Sequence, residues 1–269
     1  MIDAGKDEIL LSELSDTGVL RLTLNDSARR NALSEKMLAT IQSTLDAAAV
    51  NPSIRVIVLA SNGPAFCAGH DLKELTAGRA AADGGKAYFA SIMTQCSTMM
   101  QTIVRHPKPV IAEVRGTATA AGCQLVASCD LAYAAADAKF STPGVNIGLF
   151  CSTPMVALSR NVAPKFAMEM LLTGEMHSAA RAAEIGLLNA AVAEDKLTEA
   201  VMAVATKIAG KSSMTLETGK RAFYEQAEMT LSDAYDYAAG VMVDNMLKRD
   251  AEEGVNAFLE KRHAVWNDK

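Results

Sequence analysis

Apolar and polar positions change period along this chain, and the changes mark alternating strands and helices. Leu20, Leu22 and Leu24 alternate with Arg21 and Thr23, the period-two pattern of a half-buried strand. After the turn Asn25-Asp26-Ser27, Ser34 is placed to cap a helix. Its apolar positions Met37, Leu38, Ile41, Leu45 and Ala48 recur at helical spacing, and Asn51-Pro52 closes it. Ile54 to Ala60 is a nearly continuous run rich in β-branched residues, as in a strand covered on both faces. Ser61-Asn62-Gly63-Pro64 breaks that run. The polar, Gly-containing stretch from Thr76 to Lys86 reads as a mobile loop before a Met-rich helix around Tyr88 to Val104.

His106-Pro107-Lys108-Pro109 forces extended backbone into a second buried strand, Val110 to Val114, which Gly116 ends. The small residues from Thr117 to Gly122 read as a loop leading into an apolar helix. Leu131 to Ala134 and Lys139 to Ser141 read as short strands. Beyond Pro154 the pattern is helical to the end, save a strand-like stretch from Leu187 to Val192. Leu197, Val201, Val204 and Ile208 mark one amphipathic helix. Strand and helix alternating over two thirds of the chain predict an α/β architecture with mostly parallel strands. The helical last third either packs on that core or forms a subunit interface.

A length of 269 residues allows one large domain, or one with a small appendage, at roughly 150 residues per domain. A chain of this size buries about 70–75% of its unfolded surface without a metal or disulfide staple. With 50% apolar and 21% charged residues, disorder is excluded. The net charge of −5 removes the electrostatic footprint that nucleic acid requires. No apolar run reaches the roughly 18 residues of a bilayer span, so no membrane partner is expected. Met1 to Glu8 is too acidic and too poor in apolar residues for a targeting peptide, which leads to an expectation of a cytoplasmic protein. Cys67, Cys96, Cys123, Cys129 and Cys151 form no C-x-x-C pair, and with His70, His106, His177 and His263 they show no zinc spacing. Buried, reduced thiols and no metal are expected, with Cys151 the candidate for reactivity.

Two segments place an Ala- and Gly-rich loop directly after a buried strand: Ala65-Phe66-Cys67-Ala68-Gly69-His70-Asp71-Leu72, and Thr119-Ala120-Ala121-Gly122-Cys123-Gln124. Small residues let a ligand touch the backbone, and a helix N-terminus leaves N–H groups without partners. One N–H from each loop could converge on an oxygen that becomes negative, as in an oxyanion hole. Tight strand–helix packing would select the same residue types.

These segments resemble those of the enoyl-CoA hydratase/isomerase (crotonase) superfamily. The resemblance extends through Lys73-Glu74, Pro107-Lys108-Pro109-Val110-Ile111-Ala112, Leu125 and Cys129-Asp130. It continues in Ala167-Met168-Glu169-Met170-Leu171-Leu172-Thr173-Gly174 and Gly254-Val255-Asn256-Ala257-Phe258-Leu259-Glu260-Lys261-Arg262, so it runs almost end to end. It implies a crotonase-like spiral of ββα units over residues 1–195 and a helical C-terminal region, 196–269, used in assembling homotrimers or dimers of trimers. It also implies an acyl-CoA thioester substrate, with coenzyme A as part of the substrate and no separate cofactor. By position the thioester carbonyl would accept from the main-chain N–H groups of His70 and Ala121. The CoA moiety would lie along the Arg29-Arg30-Asn31-Ala32-Leu33 turn and the His70-Asp71-Leu72-Lys73 segment, with Ala68 also among the substrate-binding residues. Arg29, Arg30 and Lys73 would answer its phosphates, with Lys261 or Arg262 contributing from the tail.

Hydratases of the superfamily resemble one another in using two glutamates as acid and base. At the matching positions this chain has Gln124 and, after Ser141-Thr142-Pro143, Gly144. Each such group contributes about 10²–10⁴-fold, so their loss leaves hydration slow even beside an intact oxyanion hole. In dienoyl-CoA isomerases the acid corresponds to Ser152, and no carboxylate lies between Gly144 and Thr153. Asn146, Cys151, Ser152 and Gln124 remain to orient water or a polar acyl group, although Ser152-Thr153-Pro154 also suits a helix N-cap. Three readings stand: a hydratase-like lyase with other acid/base groups, an acyl-CoA decarboxylase or thioester hydrolase, and a non-catalytic acyl-CoA-binding protein. Restoring both carboxylates, Gln124→Glu with Gly144→Glu, is expected to raise hydration if the pocket is otherwise that of a hydratase.

Overall fold

The computed structural model describes residues 8–268, so all of the N-terminal stretch weighed above as a targeting segment, except Glu8, lies outside the described residues. Strands β1 (Leu10–Leu14) and β2 (Val19–Leu24) pair antiparallel, Leu10 opposite Leu24. Leu-Leu-Ser-Glu-Leu does not alternate cleanly, and for that reason the sequence pattern passes over β1. Helix α1 (Glu35–Val50) starts where Ser34 Oγ accepts the Met37 N–H at 3.2 Å, and it buries the five predicted apolar positions.

The chain then makes strand, strand, helix three times. β3 (Val56–Ser61) and β4 (Ala65–Cys67) precede α2 (Leu72–Gly78) and α3 (Lys86–Arg105). β5 (Val110–Val114) and β6 (Thr117–Thr119) precede α4 (Ala121–Ser128). β7 (Leu131–Ala135) and β8 (Lys139–Ser141) precede a 3-10 turn, Pro143–Ile147, and α5 (Ser152–Asn161). There follow α6 (Pro164–Thr173), β9 (His177–Ser178), α7 (Ala179–Glu184), β10 (Ala190–Val192), α8 (Leu197–Ala209), α9 (Ser213–Gln226), α10 (Leu231–Met246) and α11 (Arg249–Leu259).

The first strand of each repeat enters a six-stranded sheet, β1-β2-β3-β5-β7-β10, and the second enters a four-stranded sheet, β4-β6-β8-β9. From β2 to β10 the large sheet is parallel, as are β4, β6 and β8 in the small one. Three expectations are corrected. Residues 117–119 are a strand, because their backbone pairs with β4 and β8 despite small side chains. Thr76 to Lys86 is not one loop: α2 runs through Gly78, and Asp83 accepts the Gly85 and Ala87 N–H groups to start α3. Helix does not continue to the end, since residues beyond α11 return in irregular backbone onto Asp250, whose carboxylate accepts the Asn267 and Asp268 N–H groups.

Both faces of the large sheet are covered, which is why β3 is apolar throughout. Leu20, Leu22, Ile57, Leu59, Val110 and Ala112 face α1, α3 and α4, while Val19, Val56, Val58 and Ile111 face α8. On α8 the buried stripe is Leu197, Val201, Ala205 and Ala209; the predicted Val204 and Ile208 lie at its edge. Glu113, fully buried under α8, is satisfied by Arg21 at 2.6 and 2.8 Å and by the Thr198 hydroxyl at 2.8 Å. Those donors hold its carboxyl below the usual range against the opposing pull of burial.

Helix α9 buries no residue fully, and one polar knot fastens it to the core. Lys220 Nζ donates to Asp130 at 2.7 Å and to the Ile103 and Lys108 carbonyls, and the Tyr224 hydroxyl donates to the same carboxylate at 3.0 Å. Lys220→Met is expected to cost about 3 kcal/mol, because it strands a partly buried charge, and urea denaturation will read the loss.

Candidate active site

The carboxyl ends of β4, β6 and β8 lie side by side, and the loops that leave them bring together residues 68–71, 120–124 and 142–151. Open α/β sheets commonly bind ligands at this kind of edge. The first loop is held against residues 30–33: the Ala68 N–H donates to the Arg30 carbonyl at 3.1 Å, and the Leu33 N–H to the Gly69 carbonyl at 2.8 Å. Thr119 Oγ1 donates to the Ala68 carbonyl at 3.1 Å and ties the first loop to the second. Gly69 has φ +90°, and a Cβ there would sit 3.2 Å from the Ala121 nitrogen.

The second loop turns into α4 through Ala120, whose φ of 51° is uncommon for a residue with a Cβ and stores strain. The turn is over-determined: the Ala120 N–H donates to Ser141 and its carbonyl accepts from Gln124, each at 3.0 Å. Gly122 lies so close to β4 that a Cβ would stand 2.0 Å from the Cys67 carbonyl oxygen. The result is two adjacent main-chain amides, His70 and Ala121, neither of which donates to any acceptor among the described residues.

Unpartnered buried polar atoms gather at the same strand ends: both ring nitrogens of His70, Gln124 Oε1, Ser141 Oγ and Thr142 Oγ1. Buried polar atoms are seldom left so without a ligand or water in the working protein. Burial pushes the His70 imidazole below its ordinary value of 6.5, only partly offset by the Leu33 carbonyl, so the ring is neutral at pH 7.

The other candidates are distributed unevenly. Gly144 is closed in, since a Cβ would lie 2.7 Å from the Leu149 carbonyl oxygen and 2.9 Å from Cys151 Sγ. Cys151 is buried with its thiol pushed up by desolvation, as are the other four free cysteines, so it is no ready nucleophile. It is also the N-cap position of α5, so Ser152 is the first helical residue rather than the cap. Ser152 is exposed and donates to the Phe150 carbonyl at 3.3 Å. Asn146 is exposed and turned to the Gly174 carbonyl at 3.4 Å.

Arg29 does not stand free: Asp71, Asp26 and Glu74 surround its guanidinium at 3.6–3.8 Å. Those contacts do bring the Arg29 turn against the start of α2. Arg30, in left-handed backbone, has no ion-pair partner among the described residues, and Lys73 and Leu72 are exposed beside it on α2. Asp71 caps α2, accepting the Lys73 and Glu74 N–H groups at 2.8 and 3.3 Å. Ala32 is buried and Ala68 half-buried. In the tail, Arg262 is engaged by Glu253 and Glu260.

Asn31 reads in the sequence only as part of a turn, yet it is fully buried. It donates to the Asn62 and Ala65 carbonyls and accepts the Asp26 N–H, so it moors residues 30–33 to β3 and β4. An Asn where the chain needs left-handed backbone was the available signal. Among the described residues no group of three or more His, Cys, Asp or Glu side chains assembles, and no helix is long and apolar enough to cross a membrane.

Residues 15–269 match the family Enoyl-CoA hydratase/isomerase. The chain belongs to that family. It is 45% identical over 258 residues to the rat enoyl-CoA hydratase domain-containing protein 3, mitochondrial, a match that covers 96% of this chain and 84% of the relative. The crystal structure of the human enoyl coenzyme A hydratase domain-containing protein 3 superposes with a TM-score of 0.91 at 46% identity, covering 96% of this chain and all (100%) of that one. That of an enoyl-CoA hydratase from Mycobacterium smegmatis gives 0.92 at 48% identity, over 97% and 99% of the two chains. The crotonase-like α/β architecture, with parallel sheets and a helical C-terminal region, is thereby shown, and an acyl-CoA thioester is the family's kind of substrate. The cytoplasmic expectation is overturned: the rat, mouse and human relatives are all named mitochondrial, which points to that compartment. The acidic N-terminus misled because targeting can be judged only from a leader's own residues, and composition near position 1 says nothing of any other segment.

Proposed function

We propose that this protein is a hydratase-like acyl-CoA enzyme that stabilises a thioester enolate between the main-chain N–H groups of His70 and Ala121. The adjacency of those two amides, both without acceptors, carries the reading. Donors fixed before substrate arrives need no reorganisation, and one such donor is worth about 10²–10³-fold in rate. Both glutamates that serve ordinary hydration are replaced, by Gln124 and Gly144, so crotonyl-CoA hydration is expected to be slow. Arg30 and Lys73 answer the CoA phosphates, with Arg29 aligned between Asp71 and Glu74 as a brace for the Arg30 turn. Coenzyme A enters as part of the substrate, with no further cofactor in the scheme.

The C-terminal helices fit a role in a trimer or a dimer of trimers. Helix α10 has no buried residue, and α10–α11 expose Tyr235, Met242, Met246, Leu247 and Phe258, an apolar surface of the kind that subunit contacts cover. Decarboxylation of malonyl-type esters is less favoured, since burial keeps His70 uncharged and so poorly suited to hold a carboxylate.

Ala121→Pro removes one proposed donor. Pro is tolerated at a first helical position, although Ala120 before it is already strained. Calorimetry with butyryl-CoA and turnover assays with crotonyl-CoA are expected to show binding and slow turnover in the native protein, and at least a 100-fold loss of turnover in a folded variant. Unchanged turnover would remove Ala121 from the site. Binding without turnover of any thioester would favour a non-catalytic binding protein.

A further inference from the structure

Two imidazoles lie near the strand ends, His70 and, opposite Phe140 on β9, His177, and only His70 belongs to the loop that meets Ala121. Asp71 caps α2 and faces Arg29. Cys67, Cys123 and Cys151 are protonated thiols, held so by burial. Gln124, Ser141 and Thr142 do not titrate in this range. His70 remains. Neither of its buried ring nitrogens makes a well-aligned hydrogen bond, the Leu33 carbonyl is the acceptor beside the ring, and Gly69 before it lies so near the second loop that a Cβ there would stand 3.2 Å from the Ala121 nitrogen. With the N–H of a neutral imidazole turned to the Leu33 carbonyl, the lone pair on the other nitrogen is available to a ligand.

We propose that the His70 side chain, distinct from its main-chain amide, is the catalytic base that removes the α-proton of the bound acyl thioester. The proposal rests on the thioester reading above and replaces the two missing carboxylates with one imidazole. In the step, the α C–H bond breaks and its proton passes to the imidazole lone pair. The C–H electrons form a Cα=C bond, and the carbonyl π pair moves onto oxygen opposite the His70 and Ala121 amides. Reversal returns a proton to the α-carbon after exchange with solvent, so no second reactant is needed. Glu74 and Glu35 are turned to the Arg29 side of α2, where Glu74 accepts the Glu35 N–H, and they do not contact the ring.

The test is deuterium exchange at the α-carbon of butyryl-CoA in D₂O, followed by proton NMR, with butyryl-CoA affinity measured alongside. His70→Gln keeps the main-chain amide and a polar side chain but no proton acceptor. Exchange is expected to fall at least about 100-fold while affinity stays within threefold. In the native protein the exchange rate is expected to drop as pH falls below the ordinary imidazole value of 6.5, because the base is lost on protonation and its pKa lies beneath that value. A purely structural His70 would produce no such acid limb. Should His70→Gln fail to fold, His70→Asn and the native pH profile decide. Exchange that is absent from a native protein that binds butyryl-CoA, that survives in His70→Gln, or that lacks the acid limb overturns the proposal and leaves the thioester reading intact. A native protein that binds no CoA thioester overturns both.

Discussion

Gly122→Ala is expected to unfold or cripple this protein more than any conservative change elsewhere at the strand ends. The added methyl would stand 2.0 Å from the Cys67 carbonyl oxygen and 2.7 Å from its carbon, and those atoms belong to backbone, not to a side chain that can swing away. Helix α4 must therefore lift from β4. Overpacking of this kind costs about 3 kcal/mol, a large part of a typical domain's 5–15 kcal/mol. The lift also carries the Ala121 amide away from Gly69, so any folded fraction should lose butyryl-CoA affinity. Gly219→Ala is the matched control: a methyl there meets nothing within 4 Å, and the change should be neutral or gain up to about 1 kcal/mol from helix propensity. Urea denaturation of the two variants makes the comparison, and equal midpoints would refute the close approach of α4 to β4.

The double variant Gln124→Glu with Gly144→Glu is expected to gain no hydration, contrary to what the residue types alone suggest. A side chain at 144 has nowhere to go, because the Leu149 carbonyl and Cys151 Sγ already occupy its first-atom positions. The Leu149 N–H also donates to the Gly144 carbonyl at 2.9 Å, so the turn cannot open without losing that bond. A destabilisation of about 2–3 kcal/mol is expected from Gly144→Glu alone. Gln124→Glu alone should fold. Its carboxyl would replace an amide that is only 4% exposed and whose oxygen has no donor, so desolvation will raise its pKa. A carboxyl whose folded pKa exceeds its unfolded value binds more protons when folded. The variant should therefore be most stable at low pH and lose stability as pH rises through and beyond the ordinary carboxylate range. Melting temperature against pH, set beside the native profile, will show it; a rate gain in crotonyl-CoA hydration by the double variant would mean that the 143–151 turn yields easily.

Legibility varied with the kind of interaction. The helix from Ser34 was read to its cap and to all five buried positions, because both signals are local. β3, β5 and β7 were read as well, being continuous or nearly continuous in apolar residues, and so was β8, although Lys-Phe-Ser holds only one. β6 was missed: Thr-Ala-Thr carries little strand propensity, and only neighbours on both sides make it a strand. β9, two residues long, has no period to detect. At the site, the loops 68–72 and 119–124 were marked by their small residues, and both reached the same edge. Arg29 was expected, from the resemblance, to answer the CoA phosphates; in the fold Asp26 of its own turn and Asp71 and Glu74 at the start of α2 surround it.

The sequence by itself determined the alternation of the longer strands and helices, the family, and the chemical poverty of positions 124 and 144, since each of these is a property of residue type and short-range spacing. Tertiary structure alone decided that the His70 and Ala121 amides come to one edge without acceptors, that position 144 has no room, and that the ring nitrogens of His70 are buried with its imidazole held below the usual range. The reason is distance along the chain. His70, Ala121 and Gly144 leave three different strands, and the parallel pairing of β4, β6 and β8 brings their ends together. Which donors then remain unpaired, and which spaces remain open, depends on contacts across that sheet edge, and no periodicity within one segment encodes them.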